Sequence, residues 1–398
     1  MKTNWQTKKL GEVCDISIGK TPARGNEKFW DKEKETNNVW LSIRDLSNTN
    51  KKDVFDSREY ISDSGAKLCK KVKQGILLAS FKLTLGRLAF AGTDLYTNEA
   101  IAALEIKNSK ELNKEYLYYY LTFFDWHAET KGDIKVKGKT LNKAKLKEIK
   151  VFIPLLSEQI RIVKILDEVF GKMEIAKKNA ERNLRNAKEL FESYLQGVFT
   201  NSGDDWEEKR LGDAYDVRDG THDSPKYQKE GYVLITSKNL KRDELNFKNI
   251  KYISEKDYQK INERSKVHKG DILFAMIGTI GNPVVVKVEP VFAIKNVALF
   301  KIPKEHDSYF LKYFLDSKFV IDKMISEAKG TTQKFVGLGY LRDFIIKLPK
   351  LSEQKQIVIK LDALSASTKK LEKNYQQKID DLDELKKSVL KKAFEGEL

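Results

Sequence analysis

Apolar positions recur three and four apart from about residue 156 to 199, and a matching pattern returns from about 351 to 394. Met173, Ala176, Ala180, Leu184, Ala187, Phe191, Tyr194 and Val198 make the first stripe; Leu361, Leu364, Thr368, Leu371, Tyr375, Lys378 beside Ile379, Leu382, Leu385 and Val389 make the second. This spacing is the seam of a coiled coil and predicts two long helices. Two successive spacings of four in the first stripe loosen the supercoil there, and Gly171 adds a weak point. Both helices are introduced alike, by Pro154-Leu-Leu-Ser-Glu-Gln and Pro349-Lys-Leu-Ser-Glu-Gln, with 349 − 154 = 195. Ser157 and Ser352 are the expected caps, and Glu158 and Glu353 favour the positive helix ends. The register of 195 holds without a gap, matching Leu166 to Leu361, Leu190 to Leu385, Leu195 to Leu390 and Phe199 to Phe394. Two helices that each carry one apolar stripe bury them most simply against each other.

Ahead of the first helix, short apolar segments at 39–43, 76–81, 88–91, 101–106 and 151–153 suit strands, and 115–124 has helical spacing. The polar run 200–205 reads as a connection to a second domain. That domain opens with Trp206-Glu-Glu-Lys-Arg-Leu-Gly, which repeats Trp5-Gln-Thr-Lys-Lys-Leu-Gly with 206 − 5 = 201. Further on, 41–46 matches 235–240, and 75–86 matches 270–281, with insertions between. The order is therefore domain, helix, domain, helix, with expected boundaries of 1–153, 154–200, 201–348 and 349–398. A scaffold in strict register beside diverging globular parts has one fixed task, whereas the globular parts have two different ones.

Composition narrows the class. At 398 residues and 40% apolar content the chain can build two or three cores, and its 7 prolines argue against long disordered linkers. The N-terminus lacks a secretory apolar core and no apolar run approaches a membrane span, so a soluble, cytoplasmic protein is expected. Cys14 and Cys69, without a Cys-x-x-Cys pattern or histidines at ligand spacing, support neither a disulfide framework nor a metal site. The net charge of +16, from 74 Lys and Arg against 58 Asp and Glu, raises the odds of a polyanionic partner, nucleic acid first.

The two Leu-Ser-Glu-Gln helix starts at 156–159 and 351–354, the two Trp-x-x-Lys-Lys/Arg-Leu-Gly openings, and Gly-Thr-Thr-Gln-Lys at 330–334 together resemble the specificity subunits of Type I restriction-modification systems, over the whole chain. The first domain has Gly138-Lys139-Thr140 where the second has 330–334. The resemblance implies an α+β chain: two globular α/β target-recognition domains joined by two long antiparallel coiled-coil helices, with an internal pseudo-two-fold repeat. It also implies a DNA-binding, non-catalytic role beside two methyltransferase subunits, with restriction subunits joining through the complex.

Enzymatic motifs fail on inspection. Gly132 to Thr140 nearly spells a phosphate-binding loop but carries one residue too many between its glycines, and no buried strand precedes it. Asn282-Pro283 lacks the following aromatic that an adenine methyltransferase would stack on a flipped base. Gly337-Leu-Gly339 lacks the third glycine of a dinucleotide fingerprint, and the four histidines are scattered. No cofactor is expected.

What remains is the equipment of phosphate and base-edge contacts, polar and basic residues in loops beside strands. In the first domain the candidates are Thr21, Arg24, Arg44, Lys82, Thr84, Arg87, Lys139 and Thr140. In the second they are Thr221, His222, Lys226, Lys238, Asn239, Thr279, Asn282, Thr331, Thr332, Gln333 and Lys334. Arg44 with Lys238, and Thr84 with Thr279, occupy matching repeat positions. The tyrosines at 116–120 read as core. About 40 helical residues span roughly 60 Å, enough to hold two reading heads about one to one and a half DNA turns apart on a bipartite, asymmetric double-stranded target. The competing reading is a coiled-coil scaffold with protein-binding domains, which salt dependence of DNA binding would separate.

Overall fold

The two apolar stripes become two helices, Leu156–Thr200 and Leu351–Glu395, each of 45 residues, and the first continues through Gly171. The computed structural model describes residues 5–49, 52–128, 134–135, 138–139, 141–201, 203–241, 243–287, 289–330 and 334–398. These form two units: 1–179 with 378–398, and 180–377. Each unit therefore holds one globular head, the start of the helix that leaves it, and the end of the other helix.

In the first unit the strand Cys14–Ile18 borders a five-stranded sheet in the order Cys14–Ile18, Ile101–Ile106, Leu77–Ser80, Leu88–Ala91, Asp53–Val54. A second sheet runs Trp30–Asp31, Glu59–Ile61, Val39–Leu41, Tyr96–Thr97, its last pair parallel. The expected strands and the helix, here Lys114–Phe123, all form. Tyr116, Tyr119 and Tyr120 lie in the core as their spacing implied. The second unit repeats this plan: Asp216–Asp219, Val297–Lys301, Ile272–Ala275, Gly281–Val285 in one sheet, and Lys251–Ile253, Tyr232–Thr236, Phe292–Lys295 in the other.

The helix ends are core elements. Ile162 and Leu166 of the first helix and Leu390, Ala393 and Phe394 of the second share one core with Tyr116 and Tyr120, while Leu195 and Phe199 share the other with Val358, Leu361 and Phe310. Within the first unit the helices run antiparallel. Arg161 donates to the Leu398 main-chain oxygen (2.7 Å), the Lys386 ammonium lies over the Phe170 ring (5.3 Å), and Lys177 pairs with Asp383 (2.6 Å). The 195-residue register is visible in burial: Leu166 and Leu361 are both fully buried, whereas Leu190 and Leu385 are both exposed, at 52% and 48%. Tyr194 and Leu371, expected in the stripe, are exposed as well.

The helix starts depart from expectation in an instructive way. Ser157 and Ser352 are not caps: the Leu155 and Lys350 carbonyls already accept from the amides of Gln159 and Gln354 (3.0 Å each), so both serines sit exposed in the first turn. The fixing group is the glutamine. Gln159 is fully buried; its Oε1 accepts from the Asn113 amide (2.8 Å), and its Nε2 donates to the carbonyls of Glu111 (2.8 Å) and Pro154 (2.9 Å). Gln354, also fully buried, accepts from the Asp307 amide (2.8 Å) and donates to the Pro349 carbonyl (2.8 Å) and to His306 Nδ1 (3.0 Å). The tryptophan openings complete each junction: Gln6–Lys9 pairs with Lys150–Ile153, and Glu207–Arg210 with Ile345–Leu348.

Two outcomes follow. Phe394 packs edge-on against Tyr116 and Tyr120 at 5.5 and 5.3 Å, so Phe394→Ala should cost about 3–5 kcal/mol. Hydrogen exchange should show the loss at 114–123, across most of the sequence, and leave 308–316 protected. His306 must be neutral to accept from Gln354, and burial lowers its affinity for a proton, as does nearby Lys209, against the opposing pull of Glu305 and Glu207. A histidine with a depressed folded value costs nothing above the unfolded value near 6.5 and destabilises progressively as pH falls below it. The second unit should therefore lose exchange protection at 307–311 between pH 7.5 and 5.5. The matching residues 113–117, where a carbonyl takes the place of the imidazole, should not change for this reason.

Candidate nucleic-acid interface

Each head presents its loops from the same backbone frame. After its first sheet strand the chain reaches Gly19 or Gly220, whose amides donate to the carbonyls of Ile101 (3.4 Å) and Val297 (3.0 Å). A Cβ at these positions would stand 2.0 Å from the Thr97 carbonyl oxygen or 2.3 Å from that of Ile294, so only glycine permits the approach. The next residue donates to the same carbonyl: Lys20 to Thr97 (2.8 Å), Thr221 to Ile294 (3.0 Å). One residue further the heads diverge. Thr21 donates its hydroxyl to Glu99, two residues past Thr97. His222 places Nδ1 at 2.9 Å from Asn296 Oδ1, two residues past Ile294, and Nε2 at 2.8 Å from Asp219. The same position carries a threonine–carboxylate pair in one head and an imidazole–amide pair in the other.

Around Glu99 the first head gathers three candidates. Burial raises the carboxyl's proton affinity, but the hydrogen bond from Thr21 and the charges of Lys82 and Arg24 outweigh it and hold the group below its usual range. Arg24 pairs with Glu59 and lies against Trp30 and Trp40. Thr84 and Arg87 are exposed on the turn between Leu77–Ser80 and Leu88–Ala91, which Ser80 closes by donating to the Thr84 carbonyl and accepting from the Arg87 amide. Leu83 and Gly86 take positive φ there (62° and 73°), and Trp126 covers Gly86.

In the second head Thr279 is exposed on the matching turn, and the Asn282 amide reaches the Leu240 carbonyl at 3.5 Å. Lys334 donates to the Ile325 carbonyl (3.1 Å) while its own carbonyl accepts from Gly278 (3.0 Å). Arg44 and Lys238 sit exposed on matching short helices, Ile43–Asn48 and Ser237–Asn239. Asn239 differs from its expected role: it is buried, accepts from the Thr236 amide (3.0 Å) and hydroxyl (2.9 Å), and donates to the Asn246 carbonyl (3.0 Å), as Asp45 caps Ser42 in the first head. Its side chain holds the turn that presents Lys238. Lys226 is exposed beyond a turn that buried Lys295 secures through the Asp223 carbonyl (3.0 Å) and Ser224 hydroxyl (2.6 Å).

The described residues that follow the two basic loops are held alike. Leu141 donates to the Phe81 carbonyl (2.9 Å) and Val336 to the Met276 carbonyl (3.0 Å), both pairs at the repeat distance, 336 − 141 = 276 − 81 = 195. Lys139, in the strand Gly138–Lys139, thereby answers Lys334, although the two glycines of the motifs do not align. The side chain of Lys139, and Thr140, Thr331, Thr332 and Gln333 entirely, lie outside the described residues. Sequence reading missed the groups that fix the candidates: Glu59, Trp30 and Trp40 for Arg24, Glu99 for Thr21, Asp219 and Asn296 for His222. Only Glu99 and Asn296 carried a repeat signal, and insertions had shifted it to 197.

Among the described residues no helix is long and apolar enough to cross a membrane. The family model for the Type I restriction modification DNA specificity domain matches twice, at residues 2–183 and 203–381. The Type I restriction enzyme MjaIX specificity subunit of Methanocaldococcus jannaschii is 23% identical over 99% of this chain and 94% of its own length. The EcoBI specificity subunit of Escherichia coli is 24% identical over 76% of this chain and 69% of its own. Two solved structures share the fold. One, from work on complex assembly and conformational transition of the type I R-M system, superposes with a TM-score of 0.77 at 19% identity, covering 100% of this chain and 99% of that one. The HsdS subunit from Thermoanaerobacter tengcongensis gives 0.62 at 17%, covering 100% and 98%. With the family's domain present twice and the whole fold shared, this chain belongs to the specificity subunits of Type I restriction-modification systems.

Proposed function

We propose that residues 1–153 and 201–348 are two target-recognition domains, each reading one half of a bipartite, asymmetric double-stranded DNA target. The observation that supports this is the matched frame with unmatched chemistry: Thr21 with Glu99 in one head, His222 with Asn296 in the other, on the same backbone hydrogen bonds. Recognition of a palindrome would need two like heads. Exposed cations such as Arg44, Lys226 and Lys238 supply phosphate contacts, and the held polar groups read base edges. The helices 154–200 and 349–398 set the spacing of the half-sites. They also dock two methyltransferase subunits, through which restriction subunits join in the cytoplasm. The chain itself recognises and does not catalyse; methyl donor and ATP belong to its partners.

Matched apolar exposure favours two equivalent docking sites. Leu190 and Leu385 occupy the same register position and both face solvent, which suits a partner bound in two copies. Leu190→Asp with Leu385→Asp should leave melting within about 1 kcal/mol, because neither side chain is in the core. Co-purification with methyltransferase subunits should fall at least tenfold, and each single change should retain one bound subunit. Wild-type stoichiometry in the double variant would place docking elsewhere.

Exchanging residues 206–348 for the corresponding segment of another specificity subunit should alter one half-site and keep the spacer and the other half. Selection from a randomised DNA library reads this directly. A change in both halves, or in the spacer, would sink the two-headed reading.

A further inference from the structure

Arg24 is exposed yet held on every side that a binding partner does not need. Its loop is lashed by two indoles: Trp40 Nε1 donates to the Lys20 carbonyl (3.1 Å) and Trp30 Nε1 to the Ala23 carbonyl (3.2 Å), while the Asn26 amide also donates to Ala23 (3.1 Å). The guanidinium carbon lies 4.3 Å from the Trp30 ring centroid and 4.8 Å from that of Trp40. Its end, Nη1 and Nη2, meets the two carboxylate oxygens of Glu59, with Nη2 at 3.1 Å from Oε2. Glu59 stands on a strand held in the sheet: it pairs with Trp40, and the next two residues, Tyr60 and Ile61, pair on the other side with Asp31 and Trp30. The rotamer entropy that a free arginine loses on binding is already lost here.

The end of the guanidinium is engaged, which leaves the side edge, Nε–H and the second Nη2 hydrogen, as a pair of parallel donors on a side chain that is 54% exposed. Charge decides what that edge suits. A phosphate would have to approach a guanidinium whose charge Glu59 largely cancels, and would meet the carboxylate's repulsion. A guanine offers two neutral acceptors, N7 and O6, at the spacing of the fork, whereas adenine puts an amino donor where O6 would be. The second head has no counterpart: its matched loop carries His222 and Lys226 and is secured by Lys295.

We infer that Arg24, pre-set by Glu59, Trp30 and Trp40, reads one guanine through the major groove in the first half-site, a contact the second half-site lacks. This rests on the DNA-reading role proposed above. The test is selection from a randomised duplex library by the full-length chain, comparing wild type with Arg24→Gln, Arg24→Lys and Glu59→Gln, each checked by thermal melting. Wild type should enrich a bipartite sequence with an invariant G·C pair in one half. Arg24→Gln and Arg24→Lys should lose preference at that one pair by roughly ten- to a hundredfold and leave the other half-site as it was. Glu59→Gln keeps the shape but frees the charge, so it should weaken the same preference while steepening the salt dependence of binding. If wild type enriches a bipartite sequence and Arg24→Gln weakens all sequences alike, Arg24 is a phosphate contact and the guanine assignment is overturned. Enrichment of nothing by wild type overturns the DNA-reading role itself, and this assignment with it.

Discussion

A buried primary amide governs how each long helix leaves its head. The carboxamide is the one small side chain that accepts from an amide nitrogen and donates twice at the same time, and Gln159 and Gln354 use all of that capacity. Each ties the first turn of the long helix to the loop that starts the head's main helix, Lys114–Phe123 or Ser308–Asp316. A leucine or glutamate of similar volume would leave a buried amide or carbonyl without its partner, at about 1–3 kcal/mol for each orphan. The neighbouring serine of the shared motif is exposed and bears no such burden, so the glutamine is what the junction requires.

A second tie lies eight residues, about two turns, further on and shows how the duplicated scaffold tolerates opposite charges. The Tyr119 hydroxyl donates to Asp167 and the Tyr313 hydroxyl to Asp362, both at 2.5 Å, joining head to helix at the same register. In the first unit a head loop supplies the cation: Lys52 pairs with Asp167 at 2.5 Å and lies over the Tyr119 ring at 4.3 Å. In the second unit the head loop supplies the anion instead, Asp243, bridged to Lys312 at 2.5 Å and to Lys369 of the helix at 3.3 Å. The neutral bond keeps its place and direction; the ionic contacts around it are interchangeable because they are non-directional, and they range from half-exposed at Lys52 to buried at Lys312.

This contrast explains what the sequence disclosed. The helices, the order of parts and the five most apolar first-head strands were legible because burial imposes periodicity, and periodicity survives divergence; the remaining first-head strands were not. The glutamines were legible as a motif but not as a mechanism, since nothing local reveals that Gln159 reaches Asn113. The candidate interface was legible only as residue type. Thr21, Arg24 and His222 stood out as polar loop residues, whereas Glu59, Glu99 and Asn296, which help decide their orientation, come from strands and turns far along the chain, and only Asp219 is a near neighbour. The serine caps were misassigned because helix onset was set by a tertiary amide rather than by the local side chain. Asn239 was misassigned because a buried turn cap and an exposed base reader share a residue type.

The cations among the candidate contact residues fall into two sorts. Arg44, Arg87, Lys226 and Lys238 are exposed, and no described group fixes the direction of their side chains. Arg24 and His222 are each fixed by a carboxylate, Glu59 or Asp219, and by a second neighbour. An unfixed cation suits a phosphate, whose attraction is long-ranged and indifferent to angle; a fixed donor suits a base edge, where a small displacement forfeits the hydrogen bond. In the proposed reading the net charge of +16 gives affinity for any DNA, while the few oriented groups give identity to each half-site. On that reading specificity resides where charge has been cancelled, and because the underlying frame is made of backbone hydrogen bonds and two glycines, those groups can be exchanged without disturbing the fold that presents them.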